Sequence, residues 1–156
     1  MKTVFFTGHR TIENDWETIK KLMDTLKKLI SEGASDFYAG GAVGWDMLCE
    51  KAVIALRENF APHIKLHLIL PCPPEEQTAH WSAFSKEVYR KIYDFADSAE
   101  VLSEHYTKDC MKNRNVRLAE LGDVCICYFD ENRRYSGTAQ TVRMAEKLGK
   151  EILNMR

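Results

Sequence analysis

The hydrophobic pattern of this chain changes period as it runs, and that alternation constrains the fold more than any other feature. Short apolar stretches rich in β-branched and aromatic residues alternate with longer ones whose apolar positions return every three or four residues. These are the marks of strand and amphipathic helix. Residues 3–7 form the first strand-like run. From about Asn14 to Ser31, the residues Trp16, Ile19, Met23, Leu26 and Ile30 recur at helical spacing, and Gly33 stands where a helix should end. Residues 36–39 read as a strand ending in Gly40-Gly41, and 46–59 as a helix with Leu48, Ala52, Ala55 and Leu56 on one side. Residues 64–70 form a third strand, halted by Pro71, Pro73 and Pro74, which cannot extend a ladder. Helix, strand and helix follow at 82–95, 100–102 and 109–121, then strand, helix and strand at 123–129, 138–148 and 151–153. Strands separated by helices of this length imply right-handed crossovers. The expected class is α/β, a doubly wound, mainly parallel sheet with helices on both faces.

A length of 156 residues suits one domain, and with no visible boundary the whole chain, 1–156, is expected to form it. No apolar run approaches the roughly 18 residues of a membrane span, so no membrane partner is expected. The start of the chain has one basic residue and no small-residue cleavage site, which reads as a first strand rather than a signal peptide. Twenty-two Lys and Arg against 23 Asp and Glu leave a net charge of −1. That balance makes nucleic acid an improbable partner, because holding a polynucleotide takes a basic excess. A local phosphate pocket needs only a few oriented donors and passes the same test. The five cysteines, Cys49, Cys72, Cys110, Cys125 and Cys127, are odd in number and lack a Cys-x-x-Cys pair. Free thiols in a reducing cytoplasm are the expectation. Cys125 and Cys127 share a strand face, but two thiolates alone do not close a zinc shell, so neither metal nor cofactor is expected. They read as buried small hydrophobes, and His63 and His67 likewise suggest no metal site.

In doubly wound sheets ligands sit outside the carboxyl ends of the strands, and each strand exit here carries an unusual cluster. The first is Thr7-Gly8-His9-Arg10, where Gly8 permits close backbone approach and His9 and Arg10 add donors. A solvated turn is the plain alternative, and G-x-G-x-x-G is absent. The second is Gly40-Gly41-Ala42-Val43-Gly44-Trp45-Asp46, whose glycines before a helix would let amides face an anion. Asp46 is a helix cap or an acceptor for a sugar hydroxyl or ring amine, and Trp45 a core residue or a stacking surface. The third, Leu70-Pro71-Cys72-Pro73-Pro74, leads to Gln77, His80 and Trp81, either a stiff connection or a cover for a ring. Arg114 and Arg117 lie one helical turn apart, either solvated or at a site. Ser136-Gly137-Thr138 opens the last helix, as an anion-binding turn or a plain N-cap.

Together, Thr-Gly-His-Arg after the first strand, Gly-Gly-Ala-Val-Gly-Trp-Asp after the second, Arg114-Asn115 and Ser136-Gly137-Thr138 resemble the SLOG superfamily. That superfamily unites Smf/DprA and LOG proteins, and within it the chain is most similar to the bacterial YpsA-like proteins of unassigned biochemistry. The resemblance implies a Rossmann-like fold, a pocket for a nucleotide or nucleotide-derived ligand, and a homodimer. It raises Gly44, Asp46, Arg114, Gly137 and Thr138 as ligand contacts. LOG proteins couple Met-x-x-Arg with Pro-Gly-Gly-x-Gly-Thr-x-x-Glu and release a base from a nucleoside monophosphate. Met111-Lys112-Asn113-Arg114 keeps the first motif, but Thr141 stands where the catalytic carboxylate belongs, and Arg134-Tyr135-Ser136 replaces the residues upstream. A threonine cannot supply charge to an oxocarbenium-like state.

The reading favoured by the sequence is a binding or sensing domain for a small nucleotide-derived ligand. Residues 40–44 and 136–138 would offer amides to phosphate, and Arg114, with Arg10, would neutralise charge. The alternative is an N-glycoside hydrolase or transferase using Asp46 as its carboxylate; single-stranded DNA binding of the DprA kind comes third. Gly44→Val is expected to damage the second exit by closing off backbone approach to the ligand.

Overall fold

The computed structural model describes residues 2–13 and 15–156, so Met1 and Asn14, the expected start of the first helix, lie outside the described residues. Among the described residues six strands and six helices follow in the order β1 (Thr3–Gly8), α1 (Trp16–Ser31), β2 (Asp36–Ala39), α2 (Trp45–Asn59), β3 (Lys65–Leu70), α3 (Pro74–Gln77), α4 (Ala83–Phe95), β4 (Ser98–Val101), α5 (Cys110–Leu121), β5 (Val124–Tyr128), α6 (Gly137–Lys147) and β6 (Glu151–Asn154). None of these helices is long and apolar enough to cross a membrane.

The strands form one sheet in the order β4-β3-β2-β1-β5-β6, and every neighbouring pair is parallel. Parallel pairing demands a crossover for each connection, which the helices supply. Strands β1 to β4 step outward one way; the chain then returns over the sheet and lays β5 on the other side of β1. The direction of winding therefore reverses between β1 and β5, the point at which such sheets open a crevice. The alternation of β1 feeds both layers. Val4 and Phe6 join the core under α1, α2 and α4, while Phe5 joins the smaller core under α5 and α6. All five cysteines are free and buried, and burial pushes the Cys72 thiol up to about 11.

Four readings change. In α1 the buried stripe is Leu22, Leu26, Leu29 and Ile30, whereas Trp16 is exposed. The helical period was legible, but its phase follows the leucines that reach the sheet. In α2, Leu56 and Ala52 are buried as expected, but Ala55 points outward and Trp45, Cys49 and Val53 take the inner face. Helix α3 was missed, because the prolines read only as breakers. Pro74 occupies the first turn, where its missing N–H costs nothing. Strand β4 starts two residues earlier than expected; it is an edge strand exposed throughout, and so carries little apolar signal.

Candidate functional site

The first two strand exits are laced together by glycines. An added Cβ at Gly8 would collide with the Trp45 side chain, and one at Gly44 with the carbonyl oxygen of Arg10. Gly44 also has φ +82°, a backbone conformation that L side chains rarely adopt. The Trp45 amide donates to His9 O at 3.2 Å. Trp45 is fully buried, and its indole N–H donates to Ile126 O at 3.3 Å. It is therefore core and presents no stacking surface.

The expected phosphate loop at residues 40–44 turns inward instead. Two of its amides are spent on the chain's own acids: Gly41 donates to Glu50 Oε2 at 3.1 Å and Ala42 to Asp46 Oδ2 at 3.2 Å. The carbonyl of Gly40 accepts from Arg114 Nη1 and from Gln77 Nε2. Arg114 packs so tightly on Gly40 that a Cβ there would overlap its guanidinium. Gly40, Gly41 and Gly44 therefore shape the site from behind. They are not among the residues lining the cleft.

That cleft, about 380 Å³, opens at the carboxyl ends of β1 and β5 and brings together Gly8, His9, Arg10, Asp46, Arg114, Asn115, Ser136, Gly137 and Thr138. Met111, the first residue of the Met-x-x-Arg segment, joins them, as does Arg133, which no motif marks beforehand. Arg114, one turn into α5, is buried; its Nε donates to Asn115 Oδ1 at 2.8 Å. Its Nη2 has no hydrogen-bond partner among the described residues. Arg117 goes elsewhere, to Glu100 on β4 at 3.2 Å. At α6, Ser136 caps the helix by accepting from Ala139 N at 3.1 Å. The amides of Gly137 and Thr138 have no acceptor among the described residues. Thr141, in the place of the LOG carboxylate, is buried, and its hydroxyl donates to Gly137 O at 2.8 Å within the helix. On the opposite wall His9 Nε2 accepts from the Asp130 amide at 2.9 Å, which leaves the ring proton on Nδ1. Burial, then the charge of Arg133, holds its pKa below the ordinary imidazole range.

Glu50 is the acid that sequence reasoning overlooked. It lies one turn after Asp46 on the same helical face, a spacing that could have flagged it. Glu50 is 1% exposed, and its Oε1 has no hydrogen-bond partner among the described residues. Burial pushes its carboxyl well above the usual range, and the neighbouring Asp46 adds to the shift. Burial also raises Asp46, opposed chiefly by Arg114. A carboxyl raised in the fold keeps its proton longer there than in the unfolded chain. Its contribution to stability is full below the unfolded value and is lost as pH rises through the folded one. Stability should therefore decline as pH climbs above the ordinary glutamate value of 4.5. Glu50→Gln, neutral throughout, is expected to flatten that decline and to stabilise the chain by about 1–3 kcal/mol at alkaline pH. Urea unfolding from acid to alkaline pH checks this; an unchanged slope would show that Glu50 titrates normally.

With this geometry in place, relatives can be compared. The model of the YpsA (YspA SLOG) family matches residues 4–155. This chain belongs to that family. Among curated relatives, this SLOG protein is 31% identical over 137 residues to the UPF0398 protein ABC2016 of Shouchella clausii, covering 85% of its own chain and 69% of that one. It is 28% identical over 140 residues to the uncharacterized SPbeta prophage-derived protein YoqJ of Bacillus subtilis, covering 81% and 79%. Among solved structures, DNA processing protein A of Helicobacter pylori, described for its single-stranded DNA binding mode, superposes with a TM-score of 0.66 at 21% identity. The match covers 97% of the SLOG chain but only 63% of the Helicobacter one. The structural-genomics target TM1055 superposes at 0.60 with 19% identity, covering 97% and 72%. At such identities the likeness establishes the fold, an α/β Rossmann-like sheet.

Proposed function

We propose that this SLOG protein binds a small phosphorylated nucleoside derivative in the cleft between the ends of β1 and β5. The observation that carries this reading is the pairing, across one cleft, of the buried Arg114 with the open amino end of α6. A desolvated guanidinium and unpaired amides on a helix N-terminus both favour a bound anion. The cleft lies within the roughly 300–1,000 Å³ of small-molecule sites. Asp46, lining the same cleft with Oδ2 held by Ala42, would accept from a sugar hydroxyl or base edge.

Thermal unfolding with a panel of nucleoside monophosphates and dinucleotides, watched also for free base, tests the proposal. Stabilisation without turnover is expected, since a ligand selective for the folded state raises stability with its concentration. The presence of a carboxyl group, Asp46, in the lining of the cleft favours a second reading, N-glycoside hydrolysis. Release of base, abolished by Asp46→Asn, would replace binding with that activity. The Helicobacter relative brings single-stranded DNA binding into view, against which stands the net charge of −1.

A glycine variant separates fold from site. A Cβ at Gly137 would meet nothing closer than Asn115 Nδ2 at 3.8 Å. Gly137→Ala is expected to leave the melting temperature within about 3 °C of the parent, as the helix tolerates alanine well. The same variant should weaken a phosphorylated ligand about tenfold by standing a methyl before the amides. Calorimetric titration reads this, and unchanged affinity would move the phosphate away from α6.

A further inference from the structure

A second cavity of about 590 Å³ adjoins the cleft and shares Arg10 and Met111 with it. Its other walls come from the third strand exit and from the loop before α5: Glu76, Gln77, His80, Trp81 and Tyr106. We propose that this second chamber receives the aromatic ring, a nucleobase, of the same ligand whose phosphate occupies the first. The proposal rests on the phosphate reading above and deepens it.

The chamber is firm on one side and adaptable on the other. Trp81 meets Tyr89 edge-on, with ring centroids 5.5 Å apart at 80°. The Tyr89 hydroxyl donates to Gln77 Oε1 at 3.0 Å, and Gln77 Nε2 donates to Gly40 O at 3.2 Å. This chain of contacts fixes the Trp81 wall to the same carbonyl that receives Arg114. Tyr106 is 60% exposed and is anchored through its amide, which donates to Glu76 Oε1 at 3.1 Å. Two aromatic side chains lining a concave site suit a flat ring with π faces. The carboxylate of Glu76 and the imidazole of His80 offer its edge hydrogen-bonding groups. Arg10 stands at the seam of the two chambers and makes no hydrogen bond or ion pair among the described residues. A cation there suits the sugar-phosphate linkage of a ligand spanning both.

The test uses calorimetric titration of the full chain with ribose 5-phosphate and with the four ribonucleoside 5′-mono- and diphosphates. At least one nucleotide should bind roughly 5- to 150-fold more tightly than ribose 5-phosphate, the range that stacking of one base supplies. Tyr106→Ala and Trp81→Ala should each remove most of that margin and leave ribose 5-phosphate affinity unchanged. Because Trp81 also packs on Tyr89, Trp81→Leu accompanies it, and the exposed Tyr106 carries the test if neither Trp81 variant folds. A margin that survives both substitutions overturns the ring site and leaves the phosphate reading standing. Failure of every probe to bind the wild type overturns both.

Discussion

Gly44→Val is expected to destabilise the protein by about 3–5 kcal/mol, summed from a β-branched residue held at positive φ and a side chain forced into packed backbone. The sequence reading placed this damage at a ligand, whereas the structure gives a steric cause within the chain. Gly44 packs against the carbonyl of Arg10, leaving no room for a Cβ. The variant should therefore lose stability in the absence of any ligand. Gly33 supplies the control. It too has positive φ, +104°, but nothing lies within 4 Å of an added Cβ. Gly33→Ala should cost only the backbone strain, about 1–2 kcal/mol. Urea unfolding of the two variants separates strain from collision; equal losses would mean that the first two strand exits are not locked together.

Arg114→Ala is expected to weaken phosphorylated ligands at least about a hundredfold while changing affinity for the parent nucleosides less than threefold, as loss of a buried charge-assisted contact would. Equal losses for both ligand classes would place Arg114 outside the phosphate site. The same substitution should lower stability by about 3–5 kcal/mol, because Asp46 and Glu50 lose the cation that opposes their desolvation. Arg114→Lys distinguishes charge from shape. It keeps the cation but not the planar fork that reaches Gly40 O and Asn115 Oδ1 together. Partial recovery of stability with little recovery of binding is the expected pattern, measured by denaturant titration and calorimetry on the same preparations.

The sequence carried the architecture because period is a local signal: the pleat of β1, the leucines of α1 and the run of β5 each declare themselves within a few residues. The gathering of the site was legible for a topological reason. Once the strands are parallel, their exits share an edge, so Gly8, Arg114 and Thr138 could be placed near one another without coordinates. What each group spends its hydrogen bonds on was not legible. Ala42 N and Gly41 N looked like donors for an anion, yet the acids in the first two turns of α2 reach back and take them. Glu50 escaped notice because a lone acid in a helix usually faces water. Arg133 and Tyr106 escaped because loop residues acquire neighbours only through tertiary geometry. Trp45 had two readings, and only its burial against Gly8 decides between them.

The placement of β5 beside β1 has a consequence for how the site comes into being. Val4 pairs with Val124, so the two strands flanking the cleft are separated by most of the polypeptide. A ribosome finishing β4 has made Arg10 and Asp46 but neither Arg114 nor the α6 turn, and the nascent chain has no cleft to fill. Binding of the proposed ligand would thus require β5 and the α6 turn to be in place. A molecule bound across β1 and β5 would act as a late fastener, slowing amide exchange most in the final segment to join, from β5 through β6.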